Sequence, residues 1–165
     1  MISGPARWWT VGKYIEQAAY DALSSKPGRR GLVPGEVAWD SCDGGGTLAV
    51  SVRRVYVSDV FPDEADNVTG RCTSPYEVCE AVVSVIRCAP QPDGTSMAPA
   101  SDDLEAAAGL MLQDIAEVMG ALMVLTCHLH DAGEISDYLV SPAEAQGPEG
   151  GCVGFNLTVR VALVR

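Results

Sequence analysis

The chain is short of aromatic residues, histidine and positive charge, and each shortage removes a class of explanation. Two Phe, five Tyr and three Trp among 165 residues leave Val, Leu and Ala to fill most of a core. Only 11 Lys and Arg stand against 22 Asp and Glu, for a net charge of −11. So acidic a chain is unsuited to tight sequence-specific nucleic-acid binding, which needs a basic surface to displace counterions. The charge raises no obstacle to DNA merely passing by. The two histidines, His128 and His130, both fall in the segment "CHLH". A cysteine or serine nucleophile needs a base beside it, so such sites have few ways to be assembled here.

Chemical motifs are also missing. Gly44-Gly45-Gly46 is not followed by the Gly-Lys-Ser/Thr of a phosphate loop, and "DGGG" reads better as a hairpin turn. No Gly-x-Ser-x-Gly, His-Glu-x-x-His or Cys-x-x-Cys is present. "CHLH" holds three potential ligands in four residues, but zinc sites space theirs in pairs. A helix end, where His suits the negative pole of the dipole, is the plainer reading. Asp59, Asp63, Glu64 and Asp66 lack the calcium-loop pattern and read as a solvated acidic loop. "NVT" at Asn67 matches a glycosylation acceptor that only a secreted eukaryotic protein would use. No catalytic, cofactor-binding or metal-binding residue is assigned, and the chain is not expected to be an enzyme. Met1 to Val11 lacks the basic start and apolar run of a signal peptide. By this reading no apolar run approaches the roughly 20 residues of a membrane span. No membrane role and a cytoplasmic site of synthesis are therefore expected.

An apolar fraction of 47% over a chain of this length describes one ordered domain, residues 1–165. Trp8 to Ser24 carries apolar residues at helical spacing and ends at "SSKPGRRG", where Pro27 and two glycines favour turns. Glu36 to Asp40 is a short strand candidate. Thr47 to Val57 is a second strand, with Leu48, Val50 and Val52 on one parity and Val55 and Val57 on the other. Arg53-Arg54 marks the slip that a bulge accommodates. Residues 58–75 form a long acidic loop of the kind that serves contact or function.

Glu77 to Cys88 is apolar on both parities and predicts a central strand. Asp102 to Thr126 is the clearest helix, with Asp102 and Glu105 in an N-terminal capping pattern. Its apolar stripe comprises Leu104, Ala108, Met111, Leu112, Ile115, Val118, Met119, Leu122 and Leu125. Ile135 to Val140 is a further strand candidate, followed by the turn-rich "SPAEAQGPEGG". Val153 to Val164 alternates strictly, with Val153, Phe155, Leu157, Val159, Val161 and Leu163 on one face. The order predicts an α+β fold: a mostly antiparallel or mixed sheet with two main helices on one face.

Cys42, Cys72, Cys79, Cys88, Cys127 and Cys152 are scattered. In a cytosolic product such cysteines are expected chiefly as buried thiols, with disulfides or a metal site as the alternatives.

One ordered set of segments spans the chain: "GEVAWDSC", "GTLAVSVRRVYVSDVFP", "EAVVSVIRCAPQPDG", the long helix, and "GPEGGCVGFNLTVRVAL". From Gly12 to Val164 this set resembles the tail terminator proteins of long-tailed phages that infect actinobacteria. "VIRCAPQP" and "GPEGGCVG" carry most of the resemblance. It implies a non-enzymatic virion protein, assembled in the host cytoplasm and located at the tail and neck. Six copies would form a ring that caps the tail tube and ends its polymerisation. The implied partners are the major tail tube protein and the head-completion or stopper connector, with genomic DNA passing through the lumen unbound. Another neck connector, or less favoured a cysteine-rich metal or disulfide module, stands as the alternative. The long terminal strand is then expected to complete the subunit's sheet and offer a face or edge to a neighbour, with Gly150, Gly151 and Gly154 allowing close approach.

Overall fold

The computed structural model describes residues 6–38, 42–65, 76–92, 94 and 97–164. In chain order the elements are α1 (Arg7–Ala22), β1 (Arg29–Val33), β2 (Thr47–Ser58), β3 (Tyr76–Cys88), α2 (Ser101–Asp131), β4 (Asp137–Glu149) and β5 (Cys152–Val164). The strands make one five-stranded sheet in the order β1-β2-β3-β5-β4. β1 runs parallel to β2, and every other pair is antiparallel. The fold is α+β with a mixed sheet, as expected.

β3 lies in the middle because both its faces are apolar: Ala81, Val83 and Val85 enter the core beneath the helices, while Val78, Val82 and Ile86 are buried on the other side. β3 and β5 pair without a slip from Tyr76↔Val164 to Cys88↔Cys152. Gly154 permits this approach, since a Cβ there would lie 1.9 Å from the Val85 carbonyl oxygen. β4 and β5 form a hairpin whose two-residue turn, Gly150-Gly151, has positive φ at both positions (57° and 78°). Such a turn matches the strand twist and demands residues without a Cβ penalty. The expectation for β5 is thus corrected in part. Its glycines serve approach within the subunit, and both its edges are taken by β3 and β4.

The β2 register shifts between Val52 and Arg54, as the sequence slip indicated. Before the shift, Leu48 and Val50 point into the helix-covered core. After it, Arg54 stands opposite Glu80 and Tyr56 opposite Val78, on the face away from the helices. Without the extra residue the next guanidinium in the series would be driven into the core.

Three elements depart from expectation. No strand forms over the described residues 34–38; the edge strand is instead Arg29–Val33, and Trp39 and Asp40 lie outside the described residues. Charged residues read as loop, yet an edge strand tolerates them when a neighbour supplies the ladder. β4 continues to Glu149 through the stretch read as turn, with irregularities at Val140/Ala143 and Gln146/Glu149. Pro142 and Pro148 sit at or beside these irregularities, where an edge strand can do without an N–H. The glycine run is no hairpin turn, because β1 and β2 are parallel; Gly44, Gly45 and Gly46 take positive φ and lead into β2.

α2 starts at Ser101 after Ala100, which makes no side-chain cap, so the Asp102–Glu105 box is not realised. Asp102 and Asp103 lie in its first turn and His128 and His130 in its last, each suited to the dipole. Val118 and Leu122 are fully buried, while Met111, Ile115, Met119 and Leu125 pack around them. Leu104 and Leu112 of the expected stripe are exposed, at 49% and 63%. Contrary to the sequence reading, α2 is long and apolar enough to cross a membrane by length and composition. A core helix meets the same criterion, and α2 packs on α1, β4 and β5.

One polar group fastens the layers. Arg87 of β3 donates to both oxygens of Asp114 in α2, at 2.9 and 3.1 Å. It also donates to the carbonyls of Gly45 and Ser25, both at 2.6 Å. Four segments thereby converge on one buried guanidinium whose donors are matched in a planar fork. On the α1 side, Ser24 bonds Glu117 through its hydroxyl (2.5 Å) and its N–H (2.8 Å).

Candidate functional site

The helices cover one face of the sheet; on the other, Ser51, Val82, Ser84 and Asn156 lie side by side, the first three buried and Asn156 partly so. Together with residues 36–38 they line a groove of about 810 Å³. Among the described residues Glu36, Glu144 and Glu149 line it together with one arginine, Arg53, which lies 3.9 Å from Glu36. The Ser84 hydroxyl donates to the Asn156 side-chain oxygen at 2.6 Å. An amide oxygen cannot take up a proton as a base would, so this serine is a structural link. The groove is polar and acidic, shaped for contact with polar or basic groups.

Beyond the groove, three strands contribute a directly opposed row, Arg54–Glu80–Arg160. Glu80 Oε2 accepts from Arg160 Nε at 2.8 Å and from Arg54 Nη2 at 3.2 Å. Burial alone would raise the Glu80 carboxyl, but hydrogen bonds from Arg160 and Arg54 outweigh it and hold the pKa below the ordinary carboxylate value. Arg54 also pairs with Glu64 at 2.9 Å and lies over the Tyr56 ring. The Tyr56 hydroxyl donates to the Pro62 carbonyl at 2.7 Å. The first part of the acidic loop, 59–65, therefore folds back on its own sheet; residues 66–75, with Asp66, Asn67 and Cys72, lie outside the described residues.

Cys42 and Cys88 form a disulfide, with Cα atoms 5.0 Å apart. This corrects the expectation of thiols for that pair. The bridge pins the segment preceding the glycine turn to the end of β3, and Cys152 lies opposite Cys88 in the ladder. Cys79 and Cys152 are buried thiols and Cys127 an exposed one. Burial, helped by the charges of Glu80 and Glu77, pushes the Cys79 thiol up to about 12, which leaves it inert at neutral pH. Cys127 lies 3.8 Å from Asp131 Oδ2, and the ring of His130 meets Tyr138 edge-on. Among the described residues no three His, Cys, Asp or Glu side chains gather as metal ligands.

Glu80 and Arg87 were not singled out by sequence reasoning, and Arg54 and Cys88 were marked only as part of a strand slip and as one of six scattered cysteines. Arg87 and Cys88 both sit inside "VIRCAPQP", and the structure gives each a fastening role: an ion pair and a disulfide. Large apolar side chains also remain in water on the helices, with Trp9 62% and Leu112 63% exposed. Comparison with protein-family models and with curated proteins found no match.

Proposed function

We propose that the chain is a structural assembly subunit, a tail terminator whose copies close into a ring over the end of a phage tail tube. The observation that carries this reading is the ordered set of segments running from Gly12 to Val164. Those segments supply the central strand, the long helix and the terminal hairpin. The α+β fold, with two helices on one face of a mixed sheet, is the one expected from the sequence. An acidic groove on the face away from the helices, and helices that keep Trp9, Leu112, Met123 and Val124 in water, suit a protein that works by contact. The net charge of −11 per subunit, repeated around a ring, would repel phosphate and let DNA slide. The partners are further copies of the chain, six to a ring as the resemblance implies, with the major tail tube protein on one side and the neck connector on the other.

The reading is tested directly in solution. Purified protein added to a polymerising tail tube protein should stop elongation at one end when present at about the concentration of tube ends. Tubes that lengthen unchanged would reject a capping role. One observation favours a second reading: the Cys42–Cys88 bridge suits an oxidising compartment, as a disulfide-stapled module would. Protein taken fresh from cytoplasm with that pair reduced would remove its support.

A further inference from the structure

The two edges of the sheet are oppositely charged. At the β1 edge, Lys26, Arg29 and Arg30 are exposed, and no Asp or Glu occurs from residue 23 to residue 35. Glu16 and Asp21 of α1 lie beside this edge, and Asp43 adjoins Gly44, which packs against Gly28. Arg30 pairs with Glu16, which Lys13 also meets, Lys26 donates to the backbone carbonyls of Tyr20 and Asp21, and Arg29 too is engaged within the chain. At the β4 edge, Asp131, Asp137, Glu144 and Glu149 are exposed, and no Lys or Arg occurs from residue 88 to residue 159. A chain with so few cations has thus collected three of them at one margin.

The geometry points to a head-to-tail contact between copies, in which the β4 edge of one subunit receives the β1 edge of the next. Three features agree. Charge favours unlike edges and penalises β1 on β1 or β4 on β4, so twofold pairing through either edge is disfavoured. Direction also fits: tracing the pairings across the sheet makes β1 and β4 antiparallel, so a copy continuing the sheet would meet it in antiparallel sense. Length fits as well. The irregularities of β4 leave the short regular runs Asp137–Val140 and Ala143–Gln146, comparable with the five residues of β1. Pro142 and Pro148 guard the rest of the edge against indiscriminate pairing. The contact deepens the assembly reading and rests on it for closure into a ring.

Charge reversal separates the possibilities, using the full chain and sedimentation velocity. Variant A carries Lys26→Glu and Arg29→Glu; variant B carries Asp137→Lys and Glu144→Lys. Each alone should associate about tenfold or more weakly than the parent, while an equimolar mixture should recover, because A then meets B at every contact. Raising salt from about 0.05 to about 0.5 M should weaken the parent. Thermal melts confirm that the variants fold, and Arg29→Glu alone is a milder substitute for A. Variants that associate like the parent, or a mixture that fails to recover, would overturn the edge contact while leaving tube capping to stand or fall by its own assay. A parent that stays monomeric at all concentrations would overturn it too.

Discussion

Arg87 of β3 and Asp114 of α2 meet in a two-pronged ion pair, side chains 9% and 1% exposed, at the point where both layers and two loops converge. Removing one partner strands a buried charge, which costs about 3–5 kcal/mol. Asp114→Ala should therefore lower the unfolding free energy by about that amount in urea titrations. The double variant Arg87→Met with Asp114→Leu should lose markedly less, since no charge is left uncompensated. Equal losses would show that the pair is not the fastening described.

The α2 stripe gives a contrast within one helix. Leu122 is fully buried and Leu112 is 63% exposed. Leu122→Ala should cost about 2–5 kcal/mol, and Leu112→Ala should change stability by no more than about 0.5 kcal/mol. Chemical denaturation of the two variants compares them directly. A reversed order would mean that the helix is rotated from the position given.

Much of this architecture was legible in the residues. Continuous apolar character marked β3 as central, and the parity change at Arg53-Arg54 marked the β2 bulge. β1 and the second half of β4 were not legible, because Arg29-Arg30 and the prolines Pro142 and Pro148 argue locally against strands. Their neighbours' backbone ladders decide those segments, and a single-sequence pattern does not contain the neighbours. Asp114 was missed for a different reason: a lone acid in an apolar helix reads as the wet side. Its spacing was the available signal, since 114, 118, 122 and 126 fall on one line of the helix and all four are buried. The disulfide was hidden because scattered cysteines carry no pairing information.

Acid should act through Glu80. Its folded pKa is depressed, so it contributes stability above its unfolded pKa, and this is lost as pH falls through the folded value. The stability difference between the parent and Glu80→Gln should accordingly shrink as pH is lowered below the ordinary carboxylate range. Unfolding midpoints at a series of pH values measure it. A difference that grows on acidification would contradict the Arg54–Glu80–Arg160 row.

The covalent link is equally open to test. Digestion of non-reduced protein, followed by mass spectrometry, should yield a joined peptide containing Cys42 and Cys88 that separates on reduction. With a sequence separation of 46, opening the bridge by Cys42→Ser with Cys88→Ser should cost about 2–4 kcal/mol. Alkylated Cys42 and Cys88 in untreated protein would show the pair reduced.

The central claim is action by assembly at the tail end, and a lysate made without the protein tests it most directly. A cap covers the growing tube end with a surface that adds no further tube ring, so its loss should release growth. Electron micrographs are expected to show filled heads beside separate tails whose tubes exceed their normal length. Normal-length tails beside emptied heads would contradict the account and favour a neck connector instead.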